Sequence, residues 1–586
     1  MCGITAIAGK ELNIREYNTD AMLDSLSKRG PDGFGQKSFP QCWLGHRRLS
    51  IIDLASGAQP MSDGELTVSF NGEIYNYREL RNELERKGHH FVTHSDTEVI
   101  LKCFREYGAD APKHLDGMFA FALWDNTQET LLIARDRFGK KPLYYTFDGS
   151  TLVLASEIKT LLASGKITGE LSYEALDNYL QLMYIPTWKS VYKNIHPLPA
   201  AHSGVFKNGK LTTSRYWKLP NSPITISYDD AKTETSRLIH EAVKKRMLAA
   251  DVEVGSLLSG GVDSSLVSII AKDFLKKPLK TFSLGYGDYI NELPFADQVA
   301  RKIGSDHHTR QAGGELIPEL EKVISYFDEP HADTSDFPQH LISELAASQV
   351  KVALSGDGAD EIFMGYGWHR RHHHLSYRSH TIEKVFLDPF QGRIRGSRIF
   401  TRLERSLLWG SPLKTNHDIF VPDEYEDGLD PLQKITRFDL TTYMPGQLLA
   451  KLDRTSMMHG LEMRAPFLDT ALVEFVTNLP EEYKVSSTEG KIILKDLLAD
   501  IMPKEFVYRK KQGFGAPVAK WLAEPKMKQF TLETLGSGAT VHQLFVSPLV
   551  RMLLYRFYAH NDSRLAMRVW ILLCLEIWLS KTKPKL

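Results

Sequence analysis

The 586-residue chain is poor in several features, and each scarcity removes a class of function. Its four cysteines, Cys2, Cys42, Cys103 and Cys574, show no metal-site spacing. So few thiols in so long a chain suit a reducing cytoplasm, and the last three read as core thiols. Charge of one sign is missing too: Lys plus Arg and Asp plus Glu are both 72, so no global field favours nucleic acid or a membrane surface. The longest strongly apolar run, residues 569–575, stops at Glu576 and is too short to span a bilayer. Residues 1–15 lack a basic start and an unbroken apolar stretch, so no signal peptide is expected. No G-x-x-x-x-G-K-[ST] string occurs, which removes a Walker-type phosphate loop, and no repeat or low-complexity tract is visible. The 42% hydrophobic content is ample for large cores, and the length allows two to four domains.

What is present begins at residue 2. Removal of the initiator from Met1-Cys2-Gly3-Ile4 puts Cys2 at the amino terminus, where one residue carries a thiol nucleophile and an α-amine that can serve as its base. Two further segments bear on this. Asn71-Gly72-Glu73-Ile74-Tyr75-Asn76 follows a strand-like run, residues 66–70, and precedes a helical pattern over 77–87. Asn-Gly reads either as an ordinary turn or as an oxyanion hole, with the Asn71 amide and the Gly72 N–H aimed at a developing alkoxide. His46-Arg47-Arg48 sits at the start of an apolar, strand-like run that includes Ile51 and Ile52. There Arg48 forms either a surface ion pair or a bidentate clamp on a carboxylate. Asp96, where the pattern predicts a helix start, is either an N-cap or a partner for an ammonium.

These strings, with Arg29-Gly30-Pro31-Asp32-Gly33 and residues 136–143, resemble the glutaminase domain of class II glutamine amidotransferases. The resemblance implies an N-terminal-nucleophile fold, a four-layered α/β/β/α sandwich. It implies that Cys2 attacks the glutamine side-chain amide and that Asn71 and Gly72 stabilise the tetrahedral intermediate. Arg48 then takes the α-carboxylate beside Ile51 and Ile52, and Asp96 and Glu73 take the α-amine.

The second half offers a destination for ammonia. A buried-strand pattern over 251–258 runs into Ser259-Gly260-Gly261-Val262-Asp263-Ser264-Ser265, and a helical pattern follows. A glycine-rich turn from a strand into a helix makes an anion site of backbone N–H groups. Ser259 and Ser264 add hydroxyls, and Asp263 can hold Mg²⁺ against phosphates. The string resembles the pyrophosphate loop of ATP pyrophosphatases, which implies ATP as substrate and a doubly wound parallel sheet. Ser283 is placed with the ATP-binding groups on the same resemblance. A second strand-to-turn unit, residues 350–363, sets Ser355, Gly356, Asp357, Asp360 and Glu361 at a strand's carboxyl end, where such sheets bind ligands. Crowded acids there call for a cation or a reaction. The resemblance makes Asp360 the second Mg²⁺ ligand opposite Asp263, and puts Asp357 near an acyl-adenylate and the incoming ammonia, acting directly or through water.

Residues 449–469 mix charges with apolar residues at helical spacing, which fits a buried ion-pair network or a substrate role equally. Lys491, Lys495 and Lys511 are candidate cations facing the phosphates, with Lys491 leading. All of these strings are similar to asparagine synthetases of the glutamine-hydrolysing type, over nearly the whole chain. That implies a cytoplasmic ligase that amidates the β-carboxylate of aspartate through an acyl-adenylate, releasing AMP, pyrophosphate and glutamate. Its expected partners are glutamine, aspartate and ATP, without nucleic acid or membrane, and a homodimer is the assembly to look for. The acceptor stays open: relatives in the superfamily amidate peptidoglycan or secondary-metabolite precursors. A non-catalytic sensor of glutamine or ATP would be expected to lack Cys2 or the Mg²⁺ carboxylates. Residues 328–336 are expected to line the acceptor pocket.

An Asn208-Gly209 hairpin and a Pro-marked linker at 215–223 divide the chain into a glutaminase domain, 1–215, and a synthetase domain, 216–586. Trp368-His369-Arg370-Arg371-His372-His373-His374, with His380 beyond, reads as a solvated basic segment rather than a metal site.

Overall fold

The structure, a computed structural model, describes residues 2–285, 292–312, 316–378, 393, 396, 398–410, 429–509 and 517–585, with side chains left out for 374–378. Lys511 and His380 lie outside the described residues, as does the side chain of His374.

Two six-stranded antiparallel sheets fill the first 215 residues. One runs, in spatial order, His196–Pro197, Tyr144–Phe147, Thr151–Ala155, Gly3–Gly9, Cys42–Arg48, Gly33–Ser38. The other runs Lys210–Arg215, His202–Lys207, Thr130–Arg135, Gly117–Asp125, Leu66–Ile74, Met61–Asp63. The sheets stack face to face: Ile4, Ala6 and Ala8 of one meet Ala120, Ala122 and Trp124 of the other in one core. Gly117–Asp125 is buried along its whole length because both its faces are covered. Ala120, Ala122 and Trp124 face the sister sheet, while Phe119, Phe121 and Leu123 join the core on the helix side. Thr19–Ser25 and Ile158–Ala163 cover one outer face, and Asp96–Tyr107 covers the other. This is the four-layered α/β/β/α sandwich.

The strand Leu66–Ile74 runs through Asn71-Gly72, which pair with Ala120 and Phe119, so that dipeptide is not a turn. Asn208-Gly209 is one: with φ of 53° and 70° it closes the hairpin between His202–Lys207 and Lys210–Arg215. His46 and Arg48 lie at the end of the strand Cys42–Arg48, not at the start of one, because the apolar residues after them pack as loop.

The second half is built on five parallel strands in the order Asp306–Gln311, Lys280–Gly285, Val254–Leu257, Val352–Leu354, Glu462–Arg464. In chain sequence that order is third, second, first, fourth, fifth, so the winding reverses between Val254–Leu257 and Val352–Leu354. A crevice opens at the carboxyl ends of the strands at such a point. The fifth strand is three residues long, with Glu462 and Arg464 fully buried in it. Periodicity hid it inside a charged, helix-like stretch. The helix Ala566–Thr582 is buried on nearly every side, and its Glu576 accepts from the backbone N–H groups of Thr540 and Val541. Among the described residues no helix is long and apolar enough to cross a membrane.

Buried ion pairs join the two sheet systems. Arg29 donates to both oxygens of Asp453, at 2.7 and 3.0 Å, and to Glu157 at 3.1 Å. Arg454 reaches Glu157 at 3.2 Å and Asp328 at 3.1 Å. Charges removed from water persist only when paired in this way. The histidine-rich segment departs from expectation. His369 is fully buried, with Nε2 3.0 Å from Asp439, and His372 is buried as well. The helix Gly367–Arg378 buries both, His369 against that carboxylate, so the segment is not simply solvated.

Candidate active site

The first centre forms where three strands meet. Cys2 precedes Gly3–Gly9, and its N–H donates to Asn71 Oδ1 at 3.0 Å. A peptide N–H only donates, so the Asn71 oxygen is fixed toward the Cys2 N–H, and Nδ2 is the end of the amide left to donate elsewhere. Nδ2 is buried and has no hydrogen-bond partner among the described residues. An orphaned buried donor is costly and rare. Gly72, next along, has φ of 152°, and a Cβ there would lie 2.0 Å from the Met118 carbonyl oxygen. Only glycine lets the two strands come that close. Burial raises the Cys2 thiol above its ordinary pKa, and the positive chain terminus offsets this only in part. The Arg29 Nε donates to the Cys2 carbonyl at 3.1 Å, which ties the residue to the charge network of the seam.

Of the other groups expected to bind glutamine, Arg48 and Glu73 lie close enough to act on the Cys2 thiol electrostatically. Arg48 donates to the carbonyls of Asp53 at 2.7 Å and Ile52 at 3.2 Å, and so shapes the 50s loop as well as bringing a cation. Ile51 and Ile52 are buried beside it. Ser95, not Asp96, caps the helix Asp96–Tyr107, accepting from the Thr97 N–H. Asp96 is thereby released to accept from the Ile74 N–H at 3.0 Å. Burial pushes the Asp96 carboxyl up to about 7. Glu73 lies 3.4 Å from Arg464, which binds Glu462 more tightly at 2.6 Å. Burial, with Glu462 close by, raises Glu73 well above the carboxylate range. Glu462 stays below it: burial opposes its charge, but the chain terminus, Arg464 and Lys141 prevail.

The second centre lies at the reversal point of the parallel sheet. Val254–Leu257 leads through Ser259-Gly260-Gly261 into the helix Val262–Lys272. Ser259 and Ser264 hydroxyls are 3.0 Å apart, the Gly261 N–H donates to Ser259 Oγ at 3.2 Å, and the Ser259 N–H donates to Ser264 Oγ at 3.2 Å. Ser283, from the neighbouring strand, donates to the Leu258 carbonyl, so its hydroxyl braces the loop. From the next strand, the Ser355 N–H is held by the Arg464 carbonyl at 2.9 Å. The buried Ser355 Oγ has no hydrogen-bond partner among the described residues. A Cβ on Gly356 would lie 2.8 Å from the Cβ of Asp263, so glycine is what lets the two loops touch.

Lys491 closes the crevice. Its ammonium is 2.6 Å from Asp263 Oδ2 and 2.8 Å from Asp360 Oδ1, which bounds the separation of those two oxygens at about 5.4 Å, the sum of the contacts. Burial opposes the charge on Lys491, but the two carboxylates prevail and raise its pKa. Carboxylates from two strand ends gathered around one cation are a donor set suited to a hard metal ion such as Mg²⁺. Lys495 turns aside to pair with Glu489. Asp357 is half-buried and faces Lys451 electrostatically. Lys451 donates to Ser335 Oγ at 2.8 Å and lies 3.6 Å from Asp333.

The charged stretch 449–469 therefore divides its roles. Asp453 and Arg454 serve the seam, and Lys451, on the same helix Leu449–Met457, joins the segment 333–336 to the second centre. Sequence reasoning did not single out Lys451 or Arg464. Their signal was weak: basic residues next to acids, each locally explicable as an ion pair.

Residues 234–580 match the Asparagine synthase family, and residues 1–217 match the Glutamine amidotransferase domain. The chain is 32% identical to asparagine synthetase [glutamine-hydrolyzing] 1 of Bacillus subtilis (strain 168), over 99% of this chain and 96% of that one. It is 34% identical to asparagine synthetase [glutamine-hydrolyzing] 3 of the same organism, over 93% of each. A solved allosteric regulatory enzyme of purine biosynthesis shares 16% identity at a TM-score of 0.29, covering 53% of this chain and 80% of that one, too remote to argue from. With sequence likeness running from end to end and both domain families matched, the chain belongs to the asparagine synthase family of glutamine-hydrolysing ligases.

Proposed function

We propose that this chain converts aspartate to asparagine with ammonia drawn from glutamine, consuming ATP. The observation that supports it best is the coexistence in one chain of a buried, unpartnered amide donor beside Cys2 and two carboxylates gathered round one cation at a phosphate-loop crevice. Residues 1–215 act as the glutaminase and 216–586 as the synthetase. With Met1 removed, the Cys2 α-amine takes the thiol proton as sulfur attacks the glutamine amide carbon. Asn71 Nδ2 and the Gly72 N–H receive the developing oxyanion. The α-ammonium returns that proton to the amide nitrogen as the C–N bond breaks, ammonia leaves, and water then frees glutamate from the thioester. Arg48 binds the glutamine α-carboxylate, with Ile51 and Ile52 walling it. Asp96 and Glu73 bind the α-ammonium.

At the second centre a β-carboxylate oxygen of aspartate attacks the α-phosphorus of ATP, and pyrophosphate leaves. Ser259, Gly260, Gly261, Ser264 and Ser355 cradle the phosphates, while Ser283 and Gly356 shape that cradle. Asp263 and Asp360 would hold Mg²⁺, which when bound neutralises phosphate charge. Lys491 then turns to the leaving pyrophosphate. Ammonia attacks the acyl carbon of the β-aspartyl adenylate, Asp357 accepts a proton directly or through water, and AMP departs. Lys451 and the segment 328–336 bound the acceptor side. Aspartate is favoured over other acceptors because the curated relatives at 32% and 34% identity carry the asparagine synthetase name. The test is to supply aspartate, ATP and glutamine and to measure asparagine, AMP, pyrophosphate and glutamate in equal amounts. AMP and pyrophosphate released only with a different carboxylate would overturn the acceptor while sparing the chemistry.

A further inference from the structure

Away from both centres, the helix Asp336–Ala347 carries His340 and Glu344 one turn apart on one face. His459, just past the helix Leu449–Met457, stacks on His340 with ring centroids 4.8 Å apart. His340 Nε2 lies 2.8 Å from Glu319 Oε2. A carboxylate only accepts, so Nε2 carries the proton and Nδ1 of the neutral ring presents a lone pair. That lone pair lies 2.9 Å from His459 Nε2. Burial lowers the pKa of both imidazoles, His459 to about 4, so both rings are neutral near pH 7. One ligand atom from each of His340, Glu344 and His459 lies within 4.8 Å of the others, the one such grouping among the described residues.

We infer that His340, His459 and Glu344 form a binding site for a zinc-like divalent transition metal, separate from the two reaction centres. Two imidazoles and a carboxylate suit zinc, whereas magnesium prefers oxygen donors throughout. Glu319 supplies the outer partner that fixes the tautomer of a ligating histidine. Arg310 holds Glu344 Oε2 at 2.6 Å and orients the carboxylate, while Lys322 lies 3.6 Å from Oε1 and must swing away for that oxygen to reach the metal. Entry of the ion requires His459 to move its proton from Nε2 to Nδ1, with no net release. It also requires the facing nitrogens to open from 2.9 Å to roughly 3.3 Å, the span of two zinc–nitrogen bonds of about 2.0–2.1 Å in a tetrahedral arrangement. Arg310, Lys322 and Lys28 oppose a cation, while Glu319 and Glu344 favour one, so the site is reversible rather than permanently filled. A bound ion ties the helix bearing Asp336 to the one bearing Lys451, and so stiffens the acceptor side of the second centre.

The experiment uses full-length protein carrying Cys2→Ala, which removes the one cysteine proposed to be reactive as a competing soft ligand. Titration with Co²⁺ should give one equivalent bound with a tetrahedral-type visible spectrum, displaced by Zn²⁺, and a raised Tm. His459→Ala should abolish that spectrum. Glu344→Gln, at a part-exposed position that leaves the core intact, should weaken binding at least tenfold. Metal-free melting of each variant verifies folding. Identical Co²⁺ spectra and affinities in parent, His459→Ala and Glu344→Gln would overturn the assignment, as would a parent protein that binds no equivalent.

Discussion

The two centres hold their groups in opposite ways. At the first, Asn71 and Gly72 lie within a strand and pair with Ala120 and Phe119, and the Cys2 backbone N–H sets where the Asn71 amide points. At the second, Asp263 and Asp360 sit on turns after strand ends and are drawn together by a side chain, Lys491. One site is preformed by the ladder and waits with an unmet donor. The other holds two carboxylates against a single ammonium, so one negative charge of the three groups is left over, and on the proposed function Lys491 gives way to substrate and metal. Damage to the first should therefore be local in effect and proportionate, and damage to the second should spread to every step that uses the phosphates.

The largest expected effect tests whether the centres separate at all. Cys2→Ala should abolish asparagine formation from glutamine and leave formation from ammonium salts near the parent rate, since only the nitrogen source is lost. Glutamine-dependent synthesis that survives the substitution would dismiss Cys2 as the nucleophile.

Nearly as large, and opposite in pattern, is the loss expected at the second centre. Asp263→Asn and Asp360→Asn should each nearly abolish AMP release with either nitrogen donor, while glutamine hydrolysis at Cys2 continues. Because both carboxylates serve one step, the double variant should be little worse than either single one. Losses that simply multiply would mean the two residues act at separate steps.

The same contrast explains what could be read without coordinates. The second centre was legible in its loops, since a glycine-rich turn from an apolar strand into a helix reads as an anion site more readily than as a plain structural turn, and Asp263, Asp360 and Lys491 fall together at a crevice. The first was legible in its residues but not its backbone. Asn-Gly has the same local preference in the hairpin at 208–209 and mid-strand at 71–72, and only the tight approach of Met118 separates the two cases. The strand Glu462–Arg464 was hidden because its charged side chains are buried against partners from Glu73 to Arg246, contacts no local period encodes. His369 went astray likewise: its carboxylate, Asp439, is 70 positions away.

A smaller effect sharpens the claim that the ladder presets the first centre. Loss of one oxyanion donor costs about 10²–10³ in turnover, so Asn71→Ala should slow glutamine hydrolysis by roughly that factor and spare ammonia-dependent synthesis. If KM for glutamine rises and kcat holds, Asn71 positions substrate instead of stabilising the oxyanion.

The smallest expected effect is a pH dependence that only the first centre should show. Burial holds Asp96 neutral until about pH 7 in the ligand-free protein, whereas an exposed aspartate ionises near 3.9. Only the carboxylate can pair with the glutamine ammonium, so kcat/KM for glutamine should climb as pH rises through about 7 and then level off. Asp96→Asn keeps an acceptor for the Ile74 N–H but cannot ionise, so that limb should vanish and KM should rise at all pH values. Ammonia-dependent synthesis should keep its own profile in both proteins. Stability supplies an independent check with a fixed sign. The folded pKa lies above the unfolded one, so between about pH 4 and 7 the folded state binds more protons, and the stability contributed by Asp96 falls as pH rises through that window. The Asn variant should lose this part of the slope, gaining on the parent at pH 8 relative to pH 5. An unchanged glutamine pH profile in Asp96→Asn would detach Asp96 from the ammonium site, even if its effect on stability follows the expected sign.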